Sequence, residues 1–117
     1  MRALSLLALS FLLCSCGAEP KDLSYSAVSS ILEKNCISCH GAEEPESELR
    51  LDSLEGILTG GKSGPAVVPG DADSSLIISA VEDSGLVSRM PPEDEAAALD
   101  SASAGLLRRW VQEGARP

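Results

Sequence analysis

The segment Cys36-Ile37-Ser38-Cys39-His40 combines residue types and a spacing that can do chemistry together. Two thiols separated by two residues lie about one helical turn apart. Both can therefore add to the two vinyl groups on one edge of a haem, and the next residue, His40, can set an imidazole nitrogen on the iron. That is the attachment signature of a c-type haem. His40 is also the only histidine of the chain. A structural zinc site wants four ligands, and a thioredoxin-like pair belongs beside a βαβ pattern; the sequence offers neither.

A low-spin haem that passes electrons needs a sixth ligand. With one histidine in the chain, a second imidazole is excluded, and beyond Met1 the single methionine is Met90, set between Arg89 and Pro91. A thioether is a soft ligand that raises the potential of the iron. The neighbouring prolines restrict the backbone, so the sulfur can be presented with little ordering on ligation. The plainer alternative is a gap-filling core methionine. Lys62 is a less suitable substitute. The expected metal ligands are therefore His40 on the proximal side and Met90 on the distal side, with haem c held by Cys36 and Cys39.

The start of the chain determines where this chemistry takes place. Arg2 followed by an apolar run to Leu13 reads as a bacterial signal peptide. The run is shorter than the roughly 17–25 residues of a spanning helix. Leu13-Cys14-Ser15-Cys16 resembles a lipobox, and the resemblance implies Cys16 as the lipidated first residue of the mature protein; the plainer alternatives are ordinary cleavage nearby or a Cys14–Cys16 pair kept as an uncleaved anchor. Residues 1–15 are then the signal, 16–22 a tether, and 23–117 one domain. With Cys16 carrying lipid and Cys36 and Cys39 carrying haem, the mature chain keeps no cysteine for a disulfide. The expected location is the periplasmic side of a bacterial membrane.

The formal net charge of −9 makes nucleic acid an improbable partner. An acidic surface can steer a basic redox partner, or it can serve solubility alone. Only Tyr25 and Trp110 are aromatic in the mature chain, a small supply for a domain that buries well under three-quarters of its unfolded surface. A covalently held haem supplies a large flat apolar centre that these side chains do not.

The elements that must position the motif read as helices. Tyr25, Val28, Ile31 and Leu32 recur at helical spacing behind Ser24 as cap, and this helix runs into the haem motif. Residues 43–48 are acidic, contain Pro45 and read as a solvated loop. A short helix follows Asp52 or Ser53 as cap, with Leu54, Ile57 and Leu58 on its buried side. Asp71 is the expected cap of a helix through about Val81, with Leu76, Ile77 and Ala80 inward. After Gly85 the chain is extended through the prolines. A last helix begins near Asp100 or Ser101 and ends at Gly114, burying Leu99, Leu106, Leu107, Trp110 and Val111. Gly105, within it, suggests a close helix crossing. No strand pattern is evident, so the fold class is all-α, a small helical domain wrapped around one covalently bound haem.

Two further features need weighing. Residues 56–63 match the P-loop letter for letter, yet a P-loop follows a strand and opens a helix; here a helical pattern precedes it and Pro65 follows. Nucleotide is not expected. The glycine-rich loop fits better over a haem edge, where Lys62 or Ser63 can meet a propionate. Trp110 can pack near the haem or donate to a propionate, or it can serve helix packing.

From about residue 23 to residue 115 the chain resembles the Planctomycete-type cytochrome c domain. The matching stretches include Asn35-Cys36-Ile37-Ser38-Cys39-His40-Gly41, Leu49-Arg50-Leu51-Asp52, Gly60-Gly61-Lys62-Ser63 and Val68-Pro69-Gly70-Asp71. They continue with Arg89-Met90-Pro91-Pro92 and Leu107-Arg108-Arg109-Trp110-Val111. Departures fall at Ser30, Ala72 and Gly105. The resemblance implies an all-α cytochrome c fold, haem on Cys36 and Cys39, and His40 and Met90 as axial ligands. It also implies a monohaem electron carrier rather than an enzyme. The alternatives are a haem-bearing subunit or sensor of a larger dehydrogenase complex, and a small peroxidase-like haem enzyme.

Overall fold

The computed structural model describes residues 23–117. The signal segment, Cys16 and the tether lie outside the described residues. Within them the protein is all-α: five helices and a 3-10 turn, with no strand beyond one isolated bridge between Gly61 and Gly64.

Helix α1 spans Tyr25–Asn35 and buries Val28 and Leu32, which lie on one face four positions apart. It does not run unbroken into the haem motif. Cys36 leaves helical geometry (φ −128°, ψ −35°), and a one-turn helix α2 resumes over Ile37–His40. The break is bridged, because the Cys36 amide still donates to the Leu32 carbonyl at 2.9 Å.

Helix α3 spans Leu54–Thr59, with the Ser53 hydroxyl accepting from the Gly56 amide as N-cap. Ile57 is fully buried, whereas Leu58, expected inward, is 45% exposed. The three residues share one face by spacing, and they differ in depth: Ile57 reaches the core, Leu54 packs partly buried at its edge, and Leu58 lies on the solvent side. Helix α4 spans Leu76–Glu82 rather than starting at Asp71. Asp71 instead closes a turn by accepting from the Ser74 amide, and the buried Ser75 hydroxyl donates to the Asp71 carbonyl while accepting from the Val68 amide. These bonds hold the turn that an N-cap would have converted to helix.

Helix α5 spans Ser101–Gln112, capped by Asp100, which accepts from the Ser103 amide. Beyond it Gly114 adopts φ +109°, the left-handed conformation in which glycine avoids a Cβ clash. Leu107, Trp110 and Val111 are buried and meet Val28, Leu32, Ile57, Ile78 and Val81 in one core. The Arg116 carbonyl accepts from both the Tyr25 amide and the Trp110 indole N–H, tying the end of the chain to the start of α1. On the outside, Arg108 of α5 forks onto Glu82 of α4 and Asp73. Gly105 marks no helix crossing, since a Cβ there would meet open space.

Candidate haem site

The thiols, the imidazole and the thioether come from three pieces of chain. The first is α2. Its one turn is closed by the His40 amide donating to the Cys36 carbonyl at 3.0 Å, which puts Cys36, Cys39 and His40 on one helical turn. Both cysteines are free; Cys39 is exposed, and Cys36 packs partly buried against the core. Burial pushes the Cys36 thiol up to about 11, so at neutral pH it is a thiol rather than a thiolate. Among the described residues no cluster of His, Cys, Asp and Glu is placed to hold a metal ion on its own.

The second piece is the turn after the motif. His40 Nδ1 lies 3.1 Å from the Glu46 carbonyl and 3.2 Å from the Leu49 carbonyl. Two acceptors at that nitrogen make Nδ1 the donor, so the neutral ring takes the tautomer with its lone pair on Nε2, the one needed to bind a metal. The backbone arranges this by an unusual route. Ser47 and Glu48 both lie in the left-handed region (φ 55° and 57°), which turns the chain back and brings the two carbonyls onto one ring nitrogen. The Leu51 amide donates to the His40 carbonyl at 2.8 Å and fixes the other side of the residue. The acidic loop of the sequence is thus the holder of the imidazole. Nothing in its side chains announces this, because the acceptors are backbone atoms.

The third piece carries Met90. Its amide donates to the Ala80 carbonyl of α4 at 2.9 Å, and the bond to Pro91 is cis. Upstream, the buried Ser79 hydroxyl accepts from the Leu86 amide. His40 and Met90 line the same cleft, whose apolar walls come from Leu49, Leu76, Ile77 and Ala80. Its rim is a tight turn in which Gly61 and Gly64 exchange backbone hydrogen bonds and present Lys62 and Ser63 at the tip. The Lys62 ammonium sits 3.7 Å from the Glu48 carboxylate, with both side chains largely exposed.

Gly61 is required here, because a Cβ would lie 2.6 Å from the Ser47 carbonyl oxygen and 2.9 Å from the Leu49 Cβ. The P-loop letters run from Gly56 through the end of α3, its C-cap Gly60 and this turn, not across a strand-to-helix junction. Trp110 stands apart from the cleft. It is fully buried beside Tyr25 with ring centroids 6.2 Å apart, and its indole N–H is engaged by the Arg116 carbonyl. In this arrangement it packs between helices, and its N–H already has a partner within the protein.

The residues present fit a haem. The His40 imidazole and the Met90 thioether line one cleft with apolar walls, and two free cysteines, outside that lining, sit on the same turn as the imidazole. The sequence model of the Planctomycete cytochrome C family matches residues 36–94, half of the chain, and the protein belongs to that family. Comparison with curated proteins and with solved structures returns no match. Membership points to a haem-binding electron-transfer protein with the haem covalently held.

Proposed function

We propose that this protein is an exported monohaem cytochrome c, lipid-anchored through Cys16 on the periplasmic side of a bacterial membrane, that passes single electrons between redox partners. Cys36 and Cys39 hold haem c as thioethers, His40 is its proximal ligand and Met90 its distal ligand. The observation that carries this reading is the cleft shared by His40 and Met90, with His40 Nδ1 held by two backbone carbonyls. When bound, the haem supplies a one-electron couple.

The chain's own residues do the rest. The Glu46 and Leu49 carbonyls orient the imidazole by accepting from its Nδ1–H, the neutral tautomer that leaves Nε2 to ligate the iron. The Met90 thioether favours the reduced state. Leu49, Leu76, Ile77 and Ala80 exclude water from the cleft wall, which keeps the dielectric low around the couple. Lys62 and Ser63 at the rim meet the propionates. The acidic surface, with net charge −9, favours a partner with a basic docking face.

The test is haem staining after denaturing electrophoresis of the mature protein. Stain that persists in the wild type and vanishes in a Cys36→Ser, Cys39→Ser double variant is the expected result. Haem that acid solvent extracts from the wild type contradicts covalent attachment. Reversible one-electron reduction without peroxidase turnover separates the carrier from a haem enzyme, and loss of the membrane-bound fraction in Cys16→Ser checks the anchor.

A further inference from the structure

We infer that Arg89 is a positioning residue that latches the Met90 segment over the cleft, an inference that rests on the reading of Met90 as distal ligand. Met90 lies on an irregular stretch between α4 and α5, where no helix fixes the side chain. On its upstream side the segment is tied to α4 by the Met90 amide on the Ala80 carbonyl. On its downstream side the tie is the Arg89 guanidinium. Nη1 pairs with the Glu93 carboxylate at 3.2 Å, and Nη2 donates to the Ala96 carbonyl at 3.0 Å. One planar fork thus closes residues 89–96 into a loop with Met90 and both prolines inside it.

The environment of Arg89 argues against a role in stability alone. Its side chain is only 18% exposed, and Nε is buried with no hydrogen-bond partner. A buried unpaired N–H disfavours the folded state. The Glu93 carboxylate is 82% exposed, so the ion pair contributes little. What this placement achieves is geometric. A guanidinium reaches two acceptors at once from a rigid plane, and a lysine cannot. The fork therefore holds the loop in the arrangement that keeps residue 90 in the lining of the cleft it shares with His40.

The latch is read by competition at the iron. Exogenous imidazole binds the ferric haem only when Met90 is off, so its apparent affinity reports the open fraction. In the haem-loaded full chain, Arg89→Leu is expected to tighten apparent imidazole binding about tenfold, the effect of a tenfold larger open fraction. Arg89→Lys is expected to fall between it and the wild type, and Glu93→Gln to stay within about twofold of the wild type. In a Met90→Ala background, replacing Arg89 should leave imidazole affinity unchanged, a pattern that general destabilisation does not give.

Imidazole affinities of Arg89→Leu and Arg89→Lys both equal to the wild type overturn the latch. So does the same gain in the Met90→Ala background. If Arg89→Leu fails to load haem, Arg89→Lys decides alone. The wild-type spectrum is taken first. A missing near-infrared methionine–iron band removes the distal-ligand reading itself, whereas a present band with unaltered imidazole binding removes only the latch.

Discussion

On the side of the molecule where α1, α4 and α5 meet, Val28, Leu32, Ile78, Leu107 and Trp110 are buried against one another. On the cleft side, His40 and Met90 are only partly buried, and each is held by named backbone hydrogen bonds. The first region gets its order from apolar area removed from water, which is non-directional and tolerates small shifts. The second gets its order from carbonyls and amides at fixed distances, which set direction. A site that must aim two ligand atoms at one point needs the second kind of order, with the first beneath it to keep it from moving. Damage should divide accordingly: core changes lower stability and leave ligation alone, and cleft changes alter ligation at a smaller cost in stability.

The largest effect is expected at Trp110. Trp110→Ala removes a fully buried ring and its bond to the Arg116 carbonyl, at about 3–5 kcal/mol. Thermal unfolding measures the loss, and the haem spectrum of the folded fraction should match the wild type. A changed spectrum in that fraction breaks the division between the two regions.

Next comes Gly61→Ala, which drives a Cβ against the Ser47 carbonyl and Leu49. The expected loss is about 1–3 kcal/mol. Because Leu49 supplies one of the acceptors at His40 Nδ1, the reduction potential should move as well, and voltammetry reads it. An unmoved potential separates the glycine turn from the imidazole.

The smallest effect has the opposite sign. Gly105 sits in α5 with open space where a Cβ would be, so Gly105→Ala should stabilise by about 1 kcal/mol through helix propensity. The midpoint should rise by roughly 4–8 °C for a domain of this size, with an unchanged potential. A loss of stability instead would indicate that Gly105 is needed for a contact that the apolar core depends on.

The same two regions differ in how far they could be read from residue types. The apolar stripes of α1 and α5 follow from 3.6-residue spacing, and the thiols and His40 follow from the motif, since in both cases the side chain itself carries the information. The His40 acceptors were not legible, because backbone carbonyls of Glu46 and Leu49 have no sequence signature. Two consecutive left-handed residues without glycine, Ser47 and Glu48, are rarely anticipated. Asp71 departs from the expected cap for a related reason. An aspartate that caps a helix and one that closes a turn use the same side-chain bond, and the Ser75 hydroxyl decided between them. Gly105 suggested a helix crossing by residue type alone, and helix placement, which type does not encode, left it open.

The measurement that bears most directly on the central claim is the near-infrared spectrum of the ferric haem-loaded protein beside its Met90→Ala variant. A methionine–iron band present in the wild type and absent from Met90→Ala, with both folded, is the predicted result. A band that survives the substitution, or a high-spin ferric wild type, contradicts a cleft in which His40 and Met90 hold the iron between them.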